Sequence, residues 1–99
     1  MTHLTEINFS AETESSSLPV LVGFYAAGSL QEQSLRELEQ EHPNRMKFCS
    51  VDIERERSLA RSFQILSAPT MVLLQEGEIL QRIRGERSKD SLAKILDLD

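Results

Sequence analysis

The sequence predicts an α/β domain with a mixed sheet packed between helices. Three observations carry that prediction. Short apolar runs rich in β-branched and aromatic residues recur along the chain. Polar stretches with apolar residues at helical spacing lie between them. A glycine-centred turn, Gln75-Glu76-Gly77-Glu78, joins two strand-like runs near the C-terminus. The predicted order is β-α-β-α-β-α-β-β-α, and the 99 residues form one domain, 1–99.

Thr5 to Phe9 is predicted as a short edge strand, with Ser10 capping a weak first helix. Ser15-Ser16-Ser17 is a loop leading to Pro19. Pro19 to Ala26 is a nearly continuous apolar run, the pattern of a strand buried on both faces. Ser29 to Glu41 contains neither Gly nor Pro, is rich in Gln, Glu and Leu, and reads as a helix stopped by Pro43. Met46 to Ile53 is a second strand with Phe48, Val51 and Ile53 as apolar members. Glu54 to Gln64 places Leu59, Ala60 and Phe63 at helical spacing. Thr70 to Leu74 is a third strand, and Ile79 to Arg84 returns from the turn, where Gly77 supplies a positive φ. Ser88 to Leu98 closes the chain as a helix with Leu92, Ile95, Leu96 and Leu98 inward. A strand after each helix calls for parallel pairing by right-handed crossovers, and the terminal hairpin adds an antiparallel pair.

Composition excludes several function classes. Eleven basic residues against sixteen acidic ones give a net charge of −5. Nucleic-acid binding needs the opposite balance. The longest apolar run, Leu18 to Ala27, is broken by Gly23 and falls well short of the roughly 20 residues of a membrane helix. Met1 to Glu6 has no basic start and no apolar core, so a secretory signal is not expected and the location is read as cytoplasmic. The one cysteine, Cys49, excludes an internal disulfide and a multi-cysteine zinc site. His3 and His42 are isolated, so neither a metal nor any other cofactor is expected.

Five stretches taken together resemble the thioredoxin family from about Thr5 to Leu98. Pro19-Val20-Leu21-Val22-Gly23-Phe24-Tyr25-Ala26 is similar to the family's central strand, which usually reads PVLVDFWA. Ser50-Val51-Asp52-Ile53-Glu54 resembles its KVDVD strand end. Phe63 to Thr70 resembles Y-x-V-x-x-I-P-T, which implies a cis bond before Pro69. Glu76-Gly77-Glu78 resembles its NGE turn, and Gly85 falls where the family keeps a glycine before the last helix. The resemblance implies the thioredoxin fold, with helices on both faces of the sheet.

Against that resemblance the catalytic set is missing. The family's Trp-Cys-x-x-Cys becomes Gly28-Ser29-Leu30-Gln31-Glu32. Ser29 stands for the nucleophilic cysteine and Glu32 for the resolving one. The buried acid of the central strand is Gly23, and the lysine that pairs with it aligns with Ser50. Thiol–disulfide exchange needs a thiolate, and a serine hydroxyl is far too weak an acid to replace it. Ser29-Leu30-Gln31-Glu32 instead matches a capping box, with the serine accepting the third helical amide and the glutamate reaching back. A nucleophilic Ser29 would need a base, and neither His3 nor His42 lies in a stretch that the family brings to this place. Cys49 lies inside a strand and is expected to be a buried small hydrophobe.

A groove is the remaining candidate. The resemblance implies that the residue before Pro69 offers backbone hydrogen bonds to an extended peptide. The candidate peptide-binding residues are Tyr25, Gly28, Ala68, Pro69, Arg84 and Gly85. Arg84 reads either as a solvated strand end or as the partner of an acidic or polar ligand group. Helix Ser29 to Glu41 carries Glu32, Glu37, Glu39 and Glu41 against Arg36 alone, a solvated face or a match for a basic partner. Two functions follow as expectations. One is a redox-inactive adaptor or chaperone that holds a protein or peptide client. The other is a one-thiol oxidoreductase, or a binder of a glutathione-type ligand, acting through Cys49 or the Pro69 groove. A scaffold with no retained activity is a third.

Overall fold

A computed structural model describes residues 1–98. Among them the chain forms β1 (Thr2–His3), α1 (Phe9–Glu14), β2 (Val20–Tyr25), α2 (Leu30–Glu41), β3 (Lys47–Asp52), α3 (Arg57–Ser62), β4 (Thr70–Gln75), β5 (Glu78–Arg84) and α4 (Lys89–Ile95). The strands make one sheet in the order β1-β3-β2-β4-β5. β1 and β2 both run parallel to β3, and β4 runs antiparallel to both β2 and β5. This is the α/β thioredoxin fold.

Each face of the sheet is covered. Leu21, Phe48, Met71 and Ile83 pack with Leu35 and Leu38 of α2 and Leu92 of α4. Val20, Val22, Phe24, Cys49, Val51, Val72 and Leu74 pack on the other face with Leu59 and Ala60 of α3. Phe63 stacks obliquely on both Phe9 and Phe24 there, at centroid distances of 5.1 and 5.4 Å. The continuous apolar run of β2 is what burial on two faces demands. The turn between β4 and β5 has Glu76 at φ 52° and Gly77 at φ 82°, as a two-residue hairpin loop requires.

Four expectations need correction. β4 follows a helix yet pairs antiparallel with β2 rather than parallel. Both faces of Thr70–Leu74 are covered, so its apolar pattern carries no sign of direction. The edge strand is Thr2–His3, not Thr5 to Phe9. Thr5 to Asn8 instead folds into a turn: the Thr5 amide donates to Asn8 Oδ1 at 2.7 Å and the Ile7 amide to Thr5 Oγ1 at 3.2 Å. Such local side-chain bonds compete with a strand ladder. Ser10 lies inside α1, whose N-cap position is Asn8, and Asn8 makes no capping bond because its oxygen is turned to Thr5. α3 begins at Arg57 rather than Glu54, because Asp52 Oδ1 accepts the amides of Glu54 and Arg55 and holds them in a turn.

Candidate functional site

The β2 C-terminus, the N-terminus of α2 and the start of β4 meet at one end of the sheet, where Phe24 pairs with Thr70. The Ser29 amide donates to Ala26 O at 3.1 Å, closing a turn in which Gly28 sits at φ 85°. Glycine takes that left-handed conformation without penalty, whereas the tryptophan of the resemblance would be strained there. Ser29 is the N-cap of α2. Its hydroxyl accepts the Gln31 amide at 3.2 Å, so its lone pair is already engaged as a cap.

The capping box does not form as expected: the serine accepts the second helical amide, that of Gln31, rather than the third, and the reciprocal bond from Glu32 is absent. Glu32 turns away: Tyr25 OH donates to its Oε1 at 3.3 Å, and Arg36 Nη2 lies 3.6 Å from its Oε2. The Ser29 amide that Glu32 was expected to reach is held by Ala26. Tyr25 therefore decides where Glu32 points.

Tyr25 also fills the place of the missing acid. Gly23 and Tyr25 are two apart on β2 and share a face. A Cβ at position 23 would lie 2.6 Å from both Tyr25 Cε2 and Leu35 Cδ1, inside any real contact distance. Tyr25 is only 4% exposed, so it is not the part of the groove's surface that the sequence led one to expect. Burial, then the charge of Glu32, push its phenol far above the ordinary range, against a smaller pull from Ser50. It remains a neutral donor.

Ser50 is cross-strand neighbour to both Gly23 and His3. Its hydroxyl lies 2.6 Å from His3 Nδ1. His3, Tyr25, Glu32, Ser50 and Asp52 line a cleft of about 130 Å³ behind the helix start. This corrects the expectation that His3 lies away from the site. The pairing of a two-residue strand with a partner 47 positions on leaves no local sequence signal. His42, by contrast, ends α2 with its amide on Leu38 O.

Gln31, the fourth residue of the altered motif, is fully buried. Its Nε2 donates to Arg87 O at 2.9 Å, and its Oε1 accepts the Arg87 amide at 2.7 Å. The side chain thus ties α2 to the loop after β5. Sequence reading missed it, because nothing local marks a glutamine as buried.

The Ala68–Pro69 bond is cis. Gly85 donates its amide to Pro69 O at 2.9 Å, and Arg84 pairs with Thr70, so Pro69, Arg84 and Gly85 lie side by side. Ser67 O is taken by the Thr70 hydroxyl at 2.7 Å. Ala68 is exposed, and among the described residues its N–H and C=O have no partner in the fold. A cleft of about 340 Å³ opens beside it, lined by Ile53, Ala60, Ile65 and Leu66 with Arg57 and Arg61.

Cys49 is 0% exposed, in β3 between β1 and β2. Burial pushes its thiol up to about 11. Such a group is the reverse of an activated thiolate. Among the described residues no cluster of His, Cys, Asp and Glu can hold a metal ion, and no helix is long and apolar enough to cross a membrane.

A family profile described as Thioredoxin matches residues 1–98. The thioredoxin of Mycobacterium bovis is 30% identical, over 94% of this chain and 84% of its own. That of Bacillus subtilis is 29% identical, over 94% and 91%. The bifunctional thioredoxin reductase/thioredoxin of Mycobacterium leprae is 34% identical, but this chain spans only 21% of its length.

Proposed function

Since the chain belongs to the thioredoxin family and carries a single cysteine, we propose that it is a redox-inactive cytoplasmic binding module, an adaptor or chaperone whose groove holds an extended peptide segment of a client protein. The observation that carries this reading is the unpartnered backbone of Ala68 beside Pro69. One donor and one acceptor at an exposed edge can pair with an extended chain, as in strand addition. Gly85 holds Pro69 in place from behind, and the Gln31 clamp fixes α2 against the same loop. Gly28 and Arg84 are exposed at this end of the sheet and complete the rim, while Tyr25 is buried.

The dithiol cycle has no atoms to run on at positions 29 and 32. No observation favours a one-thiol enzyme: Cys49 is buried between two flanking strands and its thiol is held protonated. Two measurements test the reading. Disulfide-reductase turnover on a model protein disulfide should stay at background for both wild type and Cys49→Ser. Titration of the ¹⁵N-labelled protein with a pool of extended peptides should move the amide signals of Ala68 and Gly85 most. Turnover that depends on Cys49, or peptide shifts confined to another surface, would refute it.

A further inference from the structure

We propose that the cleft beside Ala68 recognises acidic residues flanking an apolar one in the bound peptide, through Arg57 and Arg61. This deepens the groove reading above and rests on it. Arg57 and Arg61 stand four apart on α3, so their side chains share one face of the helix. Both are exposed, and both line the 340 Å³ cleft. Among the described residues, neither guanidinium has a carboxylate or hydrogen-bond partner. Like charges at this spacing repel, and the fold supplies nothing to relieve them.

The surrounding charge sharpens the point. The chain is acidic overall, at −5, yet this rim is basic. Two carboxylates close by in the sequence are engaged elsewhere. Glu56 Oε1 accepts the Glu6 amide at 3.0 Å, and Asp52 Oδ1 accepts the amides of Glu54 and Arg55. A carboxylate from outside is the group that complements two free guanidinium forks.

Between the arginines the floor is aliphatic: Ile53, Ala60 and Ile65. Leu66 stands at its edge with 90% of its surface exposed, a large apolar side chain left without cover. An apolar side chain of the peptide fits that floor, with its neighbours in sequence reaching the arginines. The free backbone of Ala68 borders the same cleft and supplies the extended register. A nucleic acid is disfavoured by the net charge and by the absence of any aromatic residue in this lining. A lipid surface is disfavoured because one exposed leucine and two arginines do not amount to an amphipathic face.

The test uses the whole chain and three fluorescein-labelled ten-residue peptides that share a central Leu-Val. Their flanks are Asp/Glu, Gln or Lys. Fluorescence polarisation should show the acidic peptide binding about five- to tenfold more tightly than the Gln peptide, with an advantage that shrinks as salt rises. Arg57→Gln with Arg61→Gln should erase the advantage, and Arg57→Glu with Arg61→Glu should transfer it to the Lys peptide. Both positions are exposed, and an unchanged melting temperature confirms that the variants fold. Equal affinity of wild type for all three peptides would overturn this inference and leave the groove reading standing. No binding of any peptide would overturn both. Arginine-dependent binding of single-stranded DNA or anionic vesicles, with no peptide preference, would overturn the peptide as occupant.

Discussion

Replacing Gln31 by methionine isolates the clamp between α2 and the loop after β5. Methionine is unbranched, similar in length and nearly equal in helix propensity, so helix formation and volume change little. What is lost is the pair of hydrogen bonds to Arg87, at 2.9 and 2.7 Å, from a side chain with no solvent exposure. A hydrogen bond of this type contributes about 0.5–1.5 kcal/mol net, so the pair is worth roughly 1–3 kcal/mol. In urea, where the slope for a small protein is about 1–3 kcal/mol per molar, a loss of about 2 kcal/mol moves the midpoint by about 1 M. The melting temperature of a domain this size falls by about 4–8 °C per kcal/mol. Hydrogen exchange supplies a local readout, since the Arg87 amide should lose protection while the β2 amides keep theirs. A stability loss below about 0.5 kcal/mol, with Arg87 protection unchanged, would show that the clamp is a geometric coincidence and that the reasoning from it fails.

Further expectations follow from the core. Gly23→Ala should destabilise by about 1–3 kcal/mol, because its methyl meets the Tyr25 ring and Leu35 at 2.6 Å; chemical denaturation measures this, and a neutral substitution would show that the ring is free to move. Cys49 should resist a thiol-reactive probe in the native state and react at once when the chain is unfolded, and native labelling at the rate of a free thiol would contradict its burial. Stability should decline in alkali. Below its ordinary value of 9.0 the Cys49 thiol is protonated in both states, whereas above it the unfolded chain ionises and the folded chain, held up to about 11, does not. The native state then loses up to ~1.4 kcal/mol per pH unit from this group, and Tyr25 adds to the loss at higher pH. Urea midpoints from about pH 8 to 10 should therefore fall more steeply for wild type than for Cys49→Ala, and parallel profiles would remove the thiol as the cause.

The central strands were legible because burial on both faces leaves a continuous apolar run, as at Val20 to Tyr25. The hairpin was legible because Gly77 marks its turn. Direction was not, since a strand covered on both sides looks the same either way, and β4 was assigned the wrong sense. The N-terminal edge was misplaced because Thr5 and Asn8 bond to nearby backbone, a choice that composition does not display. The altered motif was visible at once as Ser29 and Glu32, but its geometry was not. Glu32 answers to Tyr25 across the fold rather than to the helix start. His3, Gln31, Arg57 and Arg61 acquire their roles only through contacts made by folding.

The tyrosine ring lying over Gly23 makes the order of substitutions matter. Ser29→Cys and Glu32→Cys together would return two sulfurs to the start of α2, yet leave no carboxylate behind them to take a proton. Gly23→Asp requires the Tyr25 ring and Leu35 to shift, because its Cβ would lie 2.6 Å from Tyr25 Cε2 and Leu35 Cδ1. Glu32→Cys in turn strips the phenol of the acceptor that orients it. Tyr25 touches both position 23 and Glu32, so changes made at the three positions together are not expected to sum. Restoring two sulfurs and a carboxylate at this end of the sheet is therefore a repacking of one aromatic side chain as well as a change of three residues.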